Sequence, residues 1–144
     1  MDLSDKQVAF LHKAHAAAMV TLRVDGMPHA VRVGVALVDG KLWSSGVPGR
    51  ARTKHLRRDP RSTLTVFEAG YGYLTIESRV TILDGPDAPE LNVRLFQVMQ
   101  SGRADPNVLT WNGKPLGLDE FLQAMRDEQR LIYEFVPLRA YGLY

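Results

Sequence analysis

Two Asp-Gly pairs constrain the fold of this chain more than any other feature of its sequence. Asp25-Gly26 and Asp39-Gly40 each stand between segments in which apolar residues occupy every second position. Asp-Gly readily adopts the positive φ angles of a tight turn, so each pair predicts a β-hairpin. Similar alternation recurs toward the end of the chain, and strands joined by such short turns are antiparallel. The sequence therefore predicts a mainly β fold.

The pattern predicts six antiparallel strands with three flanking helices, which is typical of a small β-barrel. The predicted strands span residues 18–24, 28–38, 41–45, 62–68, 73–83 and 130–144. The first helix begins after the N-cap Ser4, has a capping-box partner at Gln7 and ends near 15–17. The other two span 91–101 and 118–128, and 103–117 is predicted to be a loop. A length of 144 residues indicates a single domain over 1–144.

The predicted strand 28–38 has one apolar side and one side of small residues. Its apolar side is formed by Val31, Val33, Val35 and Leu37. The other side carries Gly34 and Ala36 beside a single arginine, Arg32. Small residues let a flat partner approach the backbone, so this side is interpreted as the contact surface of a ligand or a second subunit. An ordinary exposed strand face is the alternative.

Composition argues against several classes of function. A net charge of +2 is too small for general nucleic-acid binding, and the absence of cysteine excludes disulfide and thiolate chemistry. No segment approaches the roughly 20 apolar residues of a membrane span, and the acidic first residues differ from a secretory signal. A cytoplasmic protein is therefore expected. His12 and His15 have no third ligand nearby, so no metal site is expected.

The most strongly charged segment is the stretch 46–61. It contains one carboxylate, Asp59, and six cations: Arg50, Arg52, Lys54, Arg57, Arg58 and Arg61. Several of these cations fall three or four residues apart, where like charges on a helix repel each other. A glycine-containing turn, free N–H groups at a helix start and the hydroxyl of Thr53 complete a set that suits a phosphate group. A solvated basic turn explains the charge run about equally well.

Three segments in this order resemble the pyridoxamine-phosphate-oxidase-like, FMN-binding split β-barrel superfamily. They are T-L-R-V-D-G-M-P-H-A-V-R-V at 21–33, D-G-K-L-W-S-S at 39–45 and R-T-K-H-L-R-R-D-P-R at 52–61. The third is the most specific and is similar to the superfamily's phosphate-binding segment. Within the superfamily, the chain resembles the branch of deazaflavin (coenzyme F-420)-dependent reductases. The resemblance implies a six-stranded split barrel of Greek-key type and a homodimer that holds its cofactor at the subunit interface.

The resemblance also implies which residues hold the cofactor. Those implied at its phosphate are Arg50, Arg52, Thr53, Lys54 and, as a weaker match, Arg58. The strand residues Arg32, Val33 and Gly34 match the positions beside the flavin or deazaflavin ring. Tyr71, Tyr73, Trp111 and Tyr133 are candidates for the wall of the pocket, although packing in the core is favoured for each.

Three functions are considered, of which the first two follow from this resemblance and the third belongs to another class. The first is a reductase that uses reduced coenzyme F-420 to transfer hydride to a small unsaturated or carbonyl-type substrate. The second is an oxidase or flavin reductase with FMN as its cofactor. The third is a non-catalytic cofactor-binding protein. Because hydride chemistry belongs to the cofactor, no catalytic triad is expected, and no catalytic residue is assigned.

Overall fold

The computed structural model describes all 144 residues and contains four helices and nine strands. The helices are α1 Asp5–Lys13, α2 Ala51–Arg58, α3 Ala88–Met99 and α4 Leu118–Asp127. The strands are β1 Ala16–Leu22, β2 Pro28–Gly34, β3 Ala36–Val38, β4 Lys41–Gly46, β5 Arg61–Phe67, β6 Tyr73–Leu83, β7 Val108–Trp111, β8 Lys114–Gly117 and β9 Leu131–Leu143. The predicted counts of six strands and three helices are therefore wrong, although the mainly β, antiparallel class is confirmed. No helix combines the length and the apolar character of a membrane span.

Seven strands form one antiparallel sheet that curls until its two edges meet. Its order is β2-β1-β5-β6-β9-β4-β3, so β2 and β3 occupy opposite edges. Only Val35 lies between these strands, and neighbouring Cα atoms stay about 3.8 Å apart, so the edges must be adjacent. The N–H group of Val35 donates to the carbonyl oxygen of His15 over 2.8 Å and fixes the corner. The prediction of one continuous strand over 28–38 is wrong for this reason.

The interior of the curled sheet holds the main hydrophobic core. Leu11 of α1 packs there with strand residues such as Met19, Leu64 and Ile76, all of which are fully buried. The predicted cap of α1 is confirmed, because the Ser4 hydroxyl accepts from the Gln7 N–H group and Gln7 in turn accepts from the Ser4 N–H group. The helix ends at Lys13, earlier than predicted, because Ala16 already begins β1.

A second layer covers the outside of β3 and β4. Ala36, Trp43 and Ile132 pack there against Leu95 of α3. Ala36 and Val38 are consequently buried, and Val35 and Leu37 are buried in the main core, so the side that alternation predicted to be open is closed here. Helix α3 thus closes one end of the strand face that the sequence marked for a ligand.

The segment between α3 and α4 forms a β-hairpin, so the predicted loop over 103–117 is wrong. Strands β7 and β8 pair around Asn112 and Gly113, whose φ angles are 52° and 76°. Asn-Gly is itself a hairpin signal, so this turn was readable from the sequence. The hairpin packs with α4 around a small separate core of Leu109, Phe121 and Met125. This unit places Trp111 beside the main sheet.

Candidate functional site

A hollow of about 210 Å³ lies where β2, β4, α2, α3 and the β7–β8 hairpin meet. Its lining residues are Arg32, Val33, Gly34, Ser44, Ser45, Arg52, Phe96, Met99, Trp111 and Arg130. Four residues predicted to contact a cofactor therefore lie together: Arg32, Val33, Gly34 and Arg52. Three of the lining residues are arginines, which makes the hollow a concave, positively charged surface.

Arg52 lies in the first turn of α2 and lacks a partner of opposite charge. Its Nε is buried and makes no hydrogen bond, and its guanidinium carbon lies 5.8 Å from the centre of the Tyr133 ring. Burial lowers the pKa of Arg52, the contact with Tyr133 opposes this effect, and the like charges of Arg50 and Arg130 lower it further. Buried donors are normally hydrogen-bonded, so this geometry suits an anion.

Hydrogen bonds behind Arg52 hold the start of α2 in place. The Thr53 hydroxyl is fully buried and donates to the carbonyl oxygen of Val47 over 2.7 Å. Because its proton is used there, Thr53 accepts its second hydrogen bond from the hydroxyl of Tyr133. Tyr133 fits only because residue 46 is glycine, since a Cβ atom on Gly46 would overlap the tyrosine ring. The structure therefore places Thr53 in a supporting network, with its hydroxyl away from the open hollow.

Three of the six cations in the stretch 46–61 are occupied by contacts within the protein. These contacts are Arg57 with Asp84 at 3.0 Å, Arg61 with Asp59 at 2.8 Å and Arg58 with the carbonyl oxygen of Leu22. The side chain and N–H group of Arg61 lower the pKa of Asp59 to about 2, so the only carboxylate of the stretch remains charged but is already used. Arg50, Arg52 and Lys54 form no ion pair within the chain. Of these three, only Arg52 lines the hollow. Arg50 and Lys54 lie two residues before and after Arg52 in the sequence, and both are exposed.

The other end of α2 carries a separate cluster that includes Arg58. The Thr21 hydroxyl lies 2.9 Å from Nδ1 of His55, and the ring of His29 packs edge-on against His55 at 5.1 Å. Burial lowers the pKa of His55, and His29, Arg58 and Arg23 add to the effect in that order. None of these residues lines the hollow, so Arg58 lies apart from Arg52.

Trp111 and Arg130 form a wall of the hollow; the sequence analysis considered Trp111 for the pocket wall but assigned Arg130 to no site. Trp111 packs edge-on against Phe96 at 5.3 Å and donates from Nε1 to Glu128 over 3.1 Å. The guanidinium of Arg130 lies 4.9 Å from the centre of the Trp111 ring and also binds Glu128. The sequence feature that could have identified Arg130 is its position, because a charged residue stands there directly before the buried strand β9. Trp111 combines the two roles considered for it, because it packs at the edge of the small core and lines the hollow.

The three tyrosines considered for the pocket wall lie elsewhere. Tyr133 is fully buried, as the favoured core interpretation predicted. Tyr71 and Tyr73 are 93% and 36% exposed, so that interpretation is wrong for both. Neither lines the hollow: Tyr71 lies in the β5–β6 turn, and Tyr73 is the first residue of β6.

The chemistry available in the hollow is that of binding. The Ser44 hydroxyl donates to the carbonyl oxygen of Gly34 over 2.7 Å, and that of Ser45 donates to Asn92 over 2.5 Å. No His, Asp or Glu side chain lines the hollow to activate either hydroxyl. The arginines instead offer charge-assisted hydrogen bonds, and the Val33–Gly34 backbone offers a flat surface. This arrangement suits an anionic ligand with a planar part.

Comparison with known proteins places the chain in a family. The family model described as pyridoxamine 5'-phosphate oxidase matches residues 3–140. An F-420H(2)-dependent biliverdin reductase of Mycobacterium tuberculosis is 32% identical over 107 residues, which are 72% of this chain and 77% of that protein. A conserved hypothetical protein of M. tuberculosis has a TM-score of 0.73 at 20% identity, covering 98% of this chain and 84% of the other. A solved F-420 reductase has a TM-score of 0.68 at 16% identity, covering 96% and 98%. The resemblance seen in the sequence is thus confirmed, and the chain belongs to the pyridoxamine 5'-phosphate oxidase family of split-barrel oxidoreductases.

Proposed function

We propose that the protein is a reductase dependent on coenzyme F-420 that transfers hydride to a small unsaturated or carbonyl-type substrate. The observation that carries the proposal is Arg52, whose buried Nε has no partner at the edge of a hollow lined by three arginines. The 32% identity to a reductase whose name specifies reduced coenzyme F-420 supports the choice of cofactor. When bound, the deazaflavin supplies the hydride, and the protein supplies binding and orientation.

The residues present fit such a cofactor. Arg52, with Arg50 next to it at the start of α2, would hold a phosphate, because the helix N-terminus adds its own positive potential. The Val33–Gly34 strand would lie beside the planar ring, and Met99, whose Sδ comes within 2.9 Å of the place of a Cβ atom on Gly34, would form part of the same wall. Arg32 lies at the same surface, where its guanidinium has no carboxylate partner. Lys54 and Arg58 remain predicted phosphate contacts that lie outside the hollow.

A pair of titrations tests the choice of cofactor. We expect the purified protein to be colourless when it is made in a host that lacks coenzyme F-420, and to bind added F-420 more tightly than FMN. Quenching of F-420 fluorescence and of FMN fluorescence measures both dissociation constants under the same conditions. A yellow preparation with tightly held FMN would instead support the second candidate, an FMN-dependent oxidase or flavin reductase; the description of the matching family model as an oxidase agrees with the first of these activities.

Turnover distinguishes an enzyme from a cofactor-binding protein. Biliverdin is the first acceptor to test, because it is the substrate in the name of the relative with 32% identity. We expect the oxidation of reduced F-420 to depend on both the protein and the acceptor. The absorbance of oxidised F-420, which returns as the reaction proceeds, measures this oxidation. Tight F-420 binding without turnover of biliverdin or of simpler unsaturated and carbonyl acceptors would favour the non-catalytic candidate.

We also propose that two copies of the chain associate through the outer face of the sheet. Residues directly opposite each other on paired strands project to the same face. One such row runs across five strands through Gly34, Ala16, Phe67, Tyr73 and Leu143. Its apolar side chains are unusually open, with Phe67 47% and Leu143 61% exposed. A second copy of the chain is the occupant that would cover this apolar row.

The same row connects this face to the hollow. Gly34 ends the row and lines the hollow, and Arg32 lines both the hollow and an adjacent apolar depression of about 440 Å³ between β1 and β2. A second copy on this face would therefore complete the walls of the cofactor site. In this proposal, residues 1–144 form one domain in each copy of the dimer. A location in the cytoplasm stays a prediction from the sequence.

Replacement of Phe67 by aspartate tests the dimer. A charge in the middle of the apolar row should oppose association, so Phe67→Asp is expected to elute as a monomer with weakened F-420 binding. Light scattering after size-exclusion chromatography measures the mass. Val24→Asp is the matched control, because Val24 is 85% exposed in the β1–β2 turn, away from the row. A wild-type chain that is monomeric at micromolar concentration would contradict the proposal.

A further inference from the structure

The hollow holds more positive charge than one phosphate needs. Arg32, Arg52 and Arg130 all line it, and Glu128 is the one carboxylate that contacts any of them. Like charges that share a concave surface repel, so such an arrangement is costly unless anions balance it. Arg50 and Arg52 already supply two cations for the cofactor phosphate. Arg130 is thus left as a cation without an assigned function.

Arg130 comes from a different part of the fold and is held rigidly. It lies between α4 and β9, and its side chain is only 13% exposed. Its Nε and Nη2 both donate to the same oxygen of Glu128, over 3.0 and 2.8 Å. The other oxygen of Glu128 accepts from Nε1 of Trp111, over 3.1 Å. The guanidinium carbon of Arg130 also lies 4.9 Å from the centre of the Trp111 ring, so Glu128 and Trp111 together hold this group in place.

The bonds to Glu128 use the edge of the guanidinium formed by Nε and Nη2, and they leave the edge formed by Nη1 and Nη2 available. Nη1 of Arg130 makes no hydrogen bond within the chain, and Nη2 retains a second proton. Two parallel donors on a fixed plane match the two oxygens of a carboxylate. The aromatic rings of Trp111 and Phe96 beside it favour a planar, conjugated neighbour.

We propose that Arg130, held by Glu128 and Trp111, binds a carboxylate of the acceptor substrate and so selects planar, conjugated acids. This inference rests on the proposed function, because it assigns the second anion of the same site. It separates two tasks: the start of α2 binds the cofactor phosphate, and the α4–β9 junction binds the substrate. Arg130 is thus a specificity-determining residue, and hydride transfer itself needs no group from it.

A matched pair of acceptors tests the inference. Biliverdin carries two carboxylates, and its dimethyl ester has the same conjugated system without these charges. With oxidised F-420 bound, absorbance titrations give the dissociation constants of both compounds, and turnover with reduced F-420 gives KM. We expect the wild-type protein to bind the acid at least about tenfold more tightly than the ester, as loss of a charge-assisted pair implies.

Variants of Arg130 locate that preference. Arg130→Met should weaken biliverdin binding about tenfold, while the ester and F-420 stay within about twofold of wild type. Arg130→Lys, which keeps the charge but not the planar pair of donors, should lose less. Arg126→Met is the control, because Arg126 is exposed and pairs with Glu90 at 2.9 Å outside the hollow. It should change none of the three constants.

Several results would overturn the inference without affecting the proposed cofactor. Equal binding of acid and ester by the wild-type protein would do so, as would equal loss of both compounds in Arg130→Met. A large loss of F-420 affinity in Arg130→Met would instead assign Arg130 to the cofactor. Should that variant fail to fold, Arg130→Lys and the wild-type preference decide the question. Failure of the wild-type protein to bind F-420 at all would refute the proposed function itself.

Discussion

Replacing Arg52 by methionine separates the binding role of this side chain from its role in stability. Methionine retains an unbranched apolar chain that can still cover Tyr133, but it removes the charge and the unpartnered Nε. A charge-assisted hydrogen bond is worth about 1.5–3 kcal/mol. Its loss should therefore weaken F-420 binding by about 10- to 150-fold.

The stability of the unliganded protein should hardly change. Arg52 is partly desolvated, has no carboxylate partner and faces the like charges of Arg50 and Arg130, so its removal relieves an unfavourable burial. The contact with the Tyr133 ring is lost at the same time. These effects oppose each other, and solvent screening reduces both, so we expect the free energy of unfolding to change by less than about 1 kcal/mol.

Fluorescence titration with F-420 and thermal unfolding without it measure the two quantities. Arg57→Met is the matched control, since Arg57 lies on the same helix but is exposed and pairs with Asp84 at 3.0 Å. It should leave the dissociation constant unchanged and cost less than about 1 kcal/mol. An unchanged F-420 affinity in Arg52→Met would refute the reasoning, and so would a loss of binding explained by a fall in melting temperature of more than about 5 °C.

Two further predictions concern the support of the site and its pH dependence. Gly46→Ala should lower the free energy of unfolding, measured in urea, by roughly 1–3 kcal/mol, because its Cβ would overlap the buried Tyr133 ring. Gly49→Ala is the control and should be tolerated, because nothing lies within 4 Å of its Cβ. Equal effects of the two substitutions would contradict this account of the packing around Gly46. Burial lowers the pKa of His55 below its ordinary 6.5, so the unfolded chain binds the proton first as pH falls. The wild-type free energy of unfolding should therefore rise with pH from the lowered pKa up to 6.5 and then level off. His55→Asn should reduce that slope in urea titrations at several pH values, and an unchanged slope would show that His55 does not cause it.

Local signals account for the parts of the fold that were predicted well. Asp-Gly turns and period-two alternation identified β4, β5 and β6 to within a residue or two. The hydrogen bonds of the Ser4 cap involve residues three apart, so the sequence is enough to find them. The hairpin at Asn112-Gly113 had an equally local signal, but the polar residues around it favoured a loop.

The break at Val35 had no such signal. It arises because β2 and β3 lie at opposite edges of one sheet, which must curl for them to meet. Burial of Ala36 has the same origin, because helix α3 covers a face that alternation leaves open. Closure of a sheet depends on contacts between distant residues, which a pattern within one strand does not describe.

For the site, the sequence alone determined that a cluster of cations follows β4 and that a strand face of small residues precedes it. Only the tertiary structure decided which cations are available, because their partners are distant in sequence: Asp84 for Arg57 and the carbonyl oxygen of Leu22 for Arg58. It also brought Arg130 beside Arg52 and Arg32, which precede it in the chain by 78 and 98 residues. The physical reason is that composition and spacing fix local charge and periodicity, whereas burial and ion pairing depend on which surfaces the fold places in contact.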